Sequence, residues 1–389
     1  ERDDGLHPMG MFDPNLRYNQ YLREQGYVSD NPWNDFVISA LNDAGDVVSG
    51  FYMRNAHLPA RVSAEHSETA YMTRRAIDFI REAGDEPWSL HLSYIKPHWP
   101  YMVPSPYHSM YGVEDILPAV RSDEERADPH PVVKAFMNHG ESVVLSDDAA
   151  RQNVIPTYMG LVKEIDDHVG HLMTALSDLG RSGDTLIVLT SDHGDYLGDH
   201  WLGEKELFHE PSVRIPLIVA DPSESADLSR GCASQALVEG IDLIPTFIEV
   251  LGGDPHQPWL EGRSFLDILH GRDAESRDFV VAELDYFARK ARLELKVAAD
   301  RAKGWMVRSE RWKYVFYEGF DSQLFDLEGD PNELVDRASD PSCQGILDEH
   351  RDRLFHWFRC RKSTVTVDYA YLDTRHEFAT RGGFIFGEW

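Results

Sequence analysis

The chain has 389 residues, of which 42% are hydrophobic and 27% are charged, and this composition excludes wholesale disorder, a collagen-like repeat and a membrane-spanning protein. Lys and Arg number 38 against 67 Asp and Glu, which gives a net charge of −29 that repels phosphate backbones and anionic lipids. We therefore expect neither a nucleic-acid partner nor a membrane partner, and an anionic substrate would need locally concentrated positive charge.

Residues 1–66 are rich in Gly, Asn, Asp and Pro, which predicts long surface loops. A helix is predicted over 67–83, where Ser67 can cap the first turn and apolar residues recur at helical spacing. The alternation W-S-L-H-L-S-Y-I predicts a strand over 88–95. The loop-rich, acidic residues 118–150 are interpreted as a surface insertion.

A long helical pattern runs from Asp147 to Leu179, followed by a Gly-containing turn and the apolar run 185–190. Short, fully apolar runs after a helix are typical of buried parallel strands, and 215–220 forms a second one. A helix is predicted over 241–251. This order predicts an α/β fold with a mostly parallel central sheet and helices on both faces.

The pattern changes after about residue 275. Short antiparallel strands are predicted over Phe279–Leu284, Gly304–Ser309, Arg311–Tyr317 and Gln323–Leu327, with a helix over Cys343–Arg359 packing on them. The chain thus divides into an α/β domain over 1–275, a small antiparallel α+β domain over 276–360 and a C-terminal arm over 361–389. We expect the arm, which is too polar to form a core, to pack on a partner subunit of a homo-oligomer or on its own domain.

Three cysteines, Cys232, Cys343 and Cys360, lie far apart and in no C-x-x-C pair. This spacing argues against a disulfide framework and predicts a reducing, cytoplasmic location. No signal-peptide pattern opens the chain, but the sequence begins at Glu1 without an initiator Met, so an upstream leader stays open.

Asp192 and His193 directly follow the apolar run 185–190, in T-S-D-H-G-D-Y-L-G-D. Ligands bind beyond the carboxyl ends of strands in α/β sheets, so a carboxylate and an imidazole there suit a divalent cation. An Asx turn with a solvated His is the alternative. Asp199 and His200 are further candidates, with a solvated loop pair as their alternative.

Lys205, in L-G-E-K-E-L-F-H, would neutralise the oxygens of a tetrahedral anion if it lay near that cation, although most lysines are surface residues. His98, in K-P-H-W-P-Y, lies between two prolines that fix its backbone, so its imidazole would be presented as a hydrogen-bond donor or general acid. A rigid turn packed by Trp99 is the alternative.

Together these motifs resemble one family. K-P-H-W-P at 96–100, T-S-D-H-G-D-Y-L-G-D-H at 190–200, the lysine at 205 and R-I-P-L-I-V at 214–219 resemble the sulfatase branch of the alkaline phosphatase superfamily. Within that branch, G-L-H-P-M-G-M-F-D-P-N at 5–15 and S-P-Y-H-S-M-Y at 105–111 look most like phosphonate monoester hydrolases, also described as phosphodiesterases.

The resemblance implies an alkaline phosphatase-like fold and a small anionic ester as substrate. It implies that Asp192 and His193 ligate one divalent metal ion (Ca, Mn, Mg or Zn). It also implies that Lys205 and His98 contact the sulfuryl or phosphoryl oxygens and help the leaving group depart. A cation together with Lys205 and His98 would reverse the negative potential locally.

One family feature is missing. The nucleophile of the family is a cysteine in C-x-P-x-R that is oxidised to formylglycine, and none of the three cysteines stands in that motif. The N-terminal strand with its Asp metal ligands is also absent. We therefore expect residues 1–275 to be the C-terminal part of the α/β hydrolytic domain, and formylglycine to lie upstream of residue 1.

The sequence thus predicts a metal-dependent hydrolase of phosphonate monoesters, phosphodiesters or sulfate esters that uses an upstream formylglycine. Two alternatives stay open. An arylsulfatase-type enzyme fits the same motifs, and a non-catalytic relative that has lost its nucleophile would serve as a binding or scaffold chain.

Overall fold

The computed structural model of the chain describes residues 15–272 and 277–361. Three sequence predictions therefore lie outside the described residues: most of the motif at 5–15, the domain boundary at 275 and the arm beyond residue 361. Within the described ranges, no helix is both long and apolar enough to cross a bilayer.

The helices are Arg17–Glu24 (α1), Glu68–Ala83 (α2), Asp123–Ala127 (α3), Pro131–Met137 (α4), Gly140–Leu145 (α5), Asp148–Asp178 (α6), Glu210–Val213 (α7), Leu243–Val250 (α8), Leu266–Leu269 (α9), Lys290–Leu295 (α10) and Gln344–Cys360 (α11). The strands are Ser39–Leu41 (β1), Val47–Ser49 (β2), Ile187–Thr190 (β3), Leu217–Ala220 (β4), Phe279–Asp285 (β5), Lys303–Ser309 (β6), Trp312–Tyr317 (β7) and Gln323–Asp326 (β8).

The chain folds into two compact units, each of which is built from several separate segments. Of the described residues, 15–120, 140–185 and 197–203 form the first unit, and 121–139, 186–196, 204–272 and 277–361 form the second.

The first unit contains the two long helices predicted from the sequence, and both predictions are confirmed. The hydroxyl of Ser67 accepts a hydrogen bond from the backbone N–H of Ala70 at 3.1 Å and so caps α2. Asp147 caps α6 in the same way through the N–H of Ala149, at 3.0 Å. Pro156 lies inside α6 without ending it.

Three sequence expectations for residues 15–150 are corrected. The part of 1–66 that the structure describes was expected to form loops, but it contains α1, whose Tyr18 and Leu22 are buried in the core. The helix was missed because eight residues are too few to show a clear hydrophobic period. The insertion over 118–150 contains the short helices α3, α4 and α5. Residues 88–95 alternate between half-buried and exposed side chains as predicted, but they are not hydrogen-bonded as a strand, because alternation specifies faces and not a ladder partner.

The second unit holds a four-stranded antiparallel sheet in the order β5-β6-β7-β8, with α11 packed on β6 and β7. Its core includes Val307, Tyr314, Leu324 and Leu354. This confirms the predicted C-terminal strands and helix. β6 and β7 form a hairpin, because S-E-R turns the chain between them.

The pairing of β3 with β4 differs from the sequence expectation. These strands pair antiparallel, with Ile187 opposite Ala220 and Thr190 opposite Leu217. The expected parallel pairing is therefore wrong for this pair. The expected burial is also wrong for this pair, because β3 is half-buried up to its exposed Thr190, and Ile218 and Ala220 of β4 are exposed. An apolar run indicates a strand but carries no information about its direction.

Candidate active site

The loop that follows β3 in the second unit carries the predicted metal ligands. Oδ2 of Asp192 lies 3.6 Å from Nε2 of His193, and Oδ1 of Asp192 accepts a hydrogen bond from the backbone N–H of His193 at 3.0 Å. The Asp192 side chain is 87% exposed and that of His193 is 29% exposed. The structure thus brings the two side chains together in an accessible loop.

The imidazole of His193 is fixed in one tautomer. Its Nδ1 lies 2.7 Å from the carbonyl oxygen of Gly194. Because a carbonyl oxygen only accepts, Nδ1 carries the hydrogen and the lone pair lies on Nε2. A metal-ligating histidine is commonly oriented by such a bond from its other ring nitrogen. Nε2 therefore faces Asp192 in the form that binds a cation.

Gly194 is required by the contact of this loop with α7. Its N–H donates to the carbonyl oxygen of Ser212 at 2.7 Å. A Cβ at position 194 would collide with the carbonyl oxygen of Pro211, which is backbone and cannot move aside cheaply. The glycine of D-H-G thus allows the loop to lie directly on α7.

Lys205 belongs to a second loop that is tied to the first. The hydroxyl of Ser212 donates to the carbonyl oxygen of Lys205, and the N–H of Tyr196 donates to the carbonyl oxygen of Glu204 at 2.8 Å. Ser212 therefore connects the backbone of Gly194 to that of Lys205. The structure places Lys205 beside the loop of Asp192 and His193, and its contact with substrate oxygens stays a prediction.

A buried ion pair that the sequence did not reveal anchors α7. The ammonium of Lys313 lies 2.8 Å from Oε1 of Glu210 and 2.6 Å from Oε1 of Glu333, and its side chain is fully buried. It also donates to the carbonyl oxygen of Phe208 at 2.8 Å. Burial alone would raise the pKa of Glu210, but Lys313 and Arg308 outweigh it and lower that pKa.

His98 belongs to the first unit. Its Nδ1 lies 2.6 Å from the carbonyl oxygen of Trp99, and its backbone N–H donates to the carbonyl oxygen of Ile95 at 3.1 Å. By the same reasoning as for His193, Nδ1 carries a hydrogen, so proton exchange with a substrate would occur at Nε2. The predicted convergence of His98 with Asp192, His193 and Lys205 stays a prediction.

Asp199 and His200 both bind the backbone of an earlier segment, and their role as metal ligands stays a prediction. Both bind the backbone of Val120: its N–H donates to Oδ1 of Asp199, and its carbonyl oxygen accepts from the N–H of His200, each at 2.8 Å. His200 is only 1% exposed, so the expectation of a solvated pair is wrong for this residue. These two hydrogen bonds hold the chain that follows the D-H-G loop against Val120.

The chemistry of the residues present fits part of a cation site. Asp192 and His193 offer one oxygen and one nitrogen ligand, a combination that suits a divalent cation. In the part of the chain that the structure describes, no group of three or more His, Cys, Asp or Glu side chains is arranged to hold a metal ion. Further ligands would therefore have to complete the site.

Family models match almost the whole chain. The model described as sulfatase matches residues 12–253, and the model described as the C-terminal part of N-sulphoglucosamine sulphohydrolase matches residues 198–359. The curated relatives include the multifunctional alkaline phosphatase superfamily protein PehA of Trinickia caryophylli, with 30% identity over 91% of this chain and 70% of that protein. The choline-sulfatase of Rhizobium meliloti is 31% identical over 75% of this chain and 55% of its own length.

Solved structures show the same fold. The phosphonate monoester hydrolase SpPMH from Silicibacter pomeroyi superposes with a TM-score of 0.81 and 26% identity, over 91% of this chain and 71% of that protein. The phosphonate monoester hydrolase of Agrobacterium radiobacter gives a TM-score of 0.77 and 26% identity, over 87% of this chain and 68% of that protein. The fold is thus alkaline phosphatase-like.

The family models, the curated relatives and the fold agree on one class of protein, the alkaline phosphatase superfamily. Within that class, the chain belongs to the sulfatase family. It spans 70% of the PehA protein, 55% of the choline-sulfatase and 59% of an arylsulfatase of Clostridium perfringens.

Proposed function

We propose that this chain carries the metal-binding and oxyanion-binding part of a hydrolase that cleaves phosphonate monoesters, phosphodiesters or sulfate esters. The observation that carries the proposal is the pair Asp192 and His193, whose Oδ2 and Nε2 atoms face each other across 3.6 Å. That spacing is too long for a direct hydrogen bond and suits two ligands of one cation. The bond from His193 to Gly194 leaves the lone pair on the atom that faces Asp192.

Each site residue has one proposed role. Asp192 and His193 would hold a divalent cation (Ca, Mn, Mg or Zn), which supplies Lewis acidity to the ester oxygens when bound. Lys205 binds the non-bridging oxygens of the substrate and offsets the negative charge of the surrounding protein. His98 donates a proton from Nε2 to the departing oxygen, while its Nδ1–H stays on the carbonyl oxygen of Trp99.

We further propose that the nucleophile is a formylglycine upstream of residue 1. The support is that the triplets after Cys232, Cys343 and Cys360 are A-S-Q, Q-G-I and R-K-S, so none forms C-x-P-x-R. Peptide mass spectrometry of the protein purified from its native source tests this proposal. A formylglycine in such a motif supports it, whereas an intact protein without the motif would favour the non-catalytic alternative.

The fold neighbours favour a phosphonate monoester or phosphodiester as substrate, because both solved hydrolases above carry that name. A sulfate ester is the second candidate, favoured by the 31% identity to a choline-sulfatase. Assays of a phenyl phosphonate monoester, an aryl phosphodiester and an aryl sulfate on one preparation separate the two. We expect the largest kcat/KM for one of the phosphorus esters; a larger kcat/KM for the aryl sulfate would favour the second candidate.

We propose a reducing, cytoplasmic location for the protein. The support is that all three cysteines are unpaired, and that Cys232 and Cys360 are exposed. Thiol alkylation in intact cells before lysis tests the location: we expect both exposed cysteines to be reduced. Their recovery as disulfides would contradict it.

A further inference from the structure

Lys96 occupies an unusual position for a lysine. It opens the K-P-H-W-P segment, and only 6% of its surface is exposed. Its ammonium donates a hydrogen bond to the carbonyl oxygen of Pro100 at 2.6 Å. This bond closes the segment 96–100 into a turn, and His98 lies at the middle of that turn. The neighbouring bonds of His98 to Ile95 and Trp99 hold the same turn from within.

Two buried carboxylates share a cavity with this ammonium. Glu68, at the start of α2, is 6% exposed, and Glu164, in α6, is 1% exposed. Both line a small cavity together with Lys96. Burying an ammonium is costly unless opposite charge lies near it, and these carboxylates provide that charge.

The polar atoms around the cavity are only partly satisfied. Oε1 of Glu68 accepts a hydrogen bond from the indole N–H of Trp33 at 3.0 Å, and Glu164 is bonded to the Ser67 hydroxyl. Three other buried atoms have no protein partner among the described residues: Oε2 of Glu68, Oε1 of Glu164 and Oγ1 of Thr69. A cavity with several unsatisfied polar groups is the kind that holds ordered water.

If all three ionisable groups were charged, the cavity would carry one net negative charge. Two carboxylates face one ammonium, so one proton is needed for neutrality. Burial raises the pKa of Glu164 to about 7 and raises that of Glu68, while it lowers the pKa of Lys96 against the pull of both carboxylates. Burial, and after it the charges of both carboxylates, raises the pKa of Tyr18 in α1 well above its ordinary value.

We propose that Lys96 is a positioning residue for His98: its buried ammonium fixes the turn that carries the imidazole, and Glu68 and Glu164 hold the ammonium in place across the cavity. The groups that face the cavity come from every element packed around it. The polar residues that line it are Ser67, Glu68, Thr69, Lys96 and Glu164. Behind them, Trp33 donates to Glu68, and Tyr18 lies near both carboxylates. Lys96 does not touch the substrate and acts only through the turn. The inference rests on the proposed function where it concerns catalysis by His98.

The first test does not depend on activity. Lys96→Met keeps the length of the side chain and removes its charge and its hydrogen bond. Hydrogen exchange followed by mass spectrometry should show faster exchange in the peptide covering 95–101, with the exposed-site control Lys290→Met unchanged. Lys96→Gln, which keeps a donor, is the second variant and should exchange at an intermediate rate. Unchanged exchange over 95–101 in a folded variant, or an increase spread evenly over the protein, would overturn the proposal.

The second test measures catalysis in the intact, metal-loaded enzyme. Lys96→Met should lower kcat about 10- to 100-fold while KM changes little, since a displaced catalytic group costs mainly the chemical step. In combination with His98→Ala, it should lower kcat no further than His98→Ala alone. Losses that multiply in the double variant would show that Lys96 does not act through His98. An inactive wild-type enzyme would contradict the proposed function, and the exchange test would still decide the role of Lys96.

Discussion

The Nδ1 atom of His193 lies 2.7 Å from the carbonyl oxygen of the next residue, Gly194, and this bond sets the tautomer of the candidate metal ligand. His98 makes the same bond to the carbonyl oxygen of Trp99 at 2.6 Å. In both cases the bond assigns a hydrogen to Nδ1, so the proposed role of each imidazole falls to Nε2. The neighbouring backbone carbonyl thus determines which ring nitrogen of each histidine carries a hydrogen.

Gly194→Ala should disturb the site without removing any ligand. The new Cβ would collide with the carbonyl oxygen of Pro211, so the loop must shift away from α7. We expect a loss of about 1–3 kcal/mol in unfolding free energy, measured by urea denaturation, and a weaker affinity for the metal. Gly183→Ala is the matched control, because nothing lies within 4 Å of its added Cβ. Equal stability of the two variants would contradict this reading of the loop.

Lys313→Met tests the buried ion pair behind α7. The substitution leaves the carboxylates of Glu210 and Glu333 without the ammonium that lies within 3 Å of each, and we expect it to cost about 3–5 kcal/mol. Adding Glu333→Gln should recover part of that loss, because one unpaired charge is removed. Urea midpoints measure both effects. Lys290→Met, at an exposed position, should change the midpoint little; a similar result for Lys313→Met would show that the pair does not support the fold.

Removing an aspartate should have opposite effects on stability at the two ends of α6. Asp147 accepts the N–H of Ala149 at the first turn, so Asp147→Ala should cost about 1 kcal/mol. Asp178 is the last residue of the helix, where a negative charge opposes the helix dipole. Asp178→Ala should therefore be neutral or stabilise the protein by about 0.3–1 kcal/mol. Thermal unfolding of the two variants side by side checks the sign; equal losses would contradict the capping account.

The stability of the protein should fall as the pH rises through the range in which Glu164 titrates. Burial raises the pKa of this carboxyl from its ordinary 4.5 to about 7. The folded state therefore binds more protons than the unfolded state between these values, and the unfolding free energy should decrease there by up to about 1.4 kcal/mol per pH unit. Glu164→Gln should flatten this slope. An unchanged slope in the variant would assign the pH dependence to other groups.

Local signals in the sequence were enough to predict two helices that begin at a capping residue, and the hairpin formed by β6 and β7. Ser67 and Asp147 stand where they cap α2 and α6, and the strands on both sides of S-E-R pair with each other directly. The apolar runs of β3 and β4 predicted strands but neither their half-exposed faces nor their direction, because an apolar run reads the same in either orientation.

The candidate site was predictable only in its central residues. Asp192, His193 and Lys205 lie in one recognisable stretch of sequence, whereas the groups that support them come from distant segments. Lys313, which anchors α7, meets Glu210 across more than a hundred residues. The same holds for the turn that carries His98, where Glu68, Lys96 and Glu164 come from three separate elements. No periodicity or short motif connects such groups, since only the folded chain brings them together.

The most direct test of the account is the metal content of the intact protein with Asp192→Asn, with His193→Ala and with the exposed control Asp178→Asn. Elemental analysis of each purified variant gives the number of bound divalent ions per chain, and ester hydrolysis is measured on the same samples. The account predicts that the first two variants lose the bound ion and lose turnover by more than about 100-fold, while the control keeps both. Full metal occupancy and undiminished turnover in Asp192→Asn and His193→Ala would contradict it.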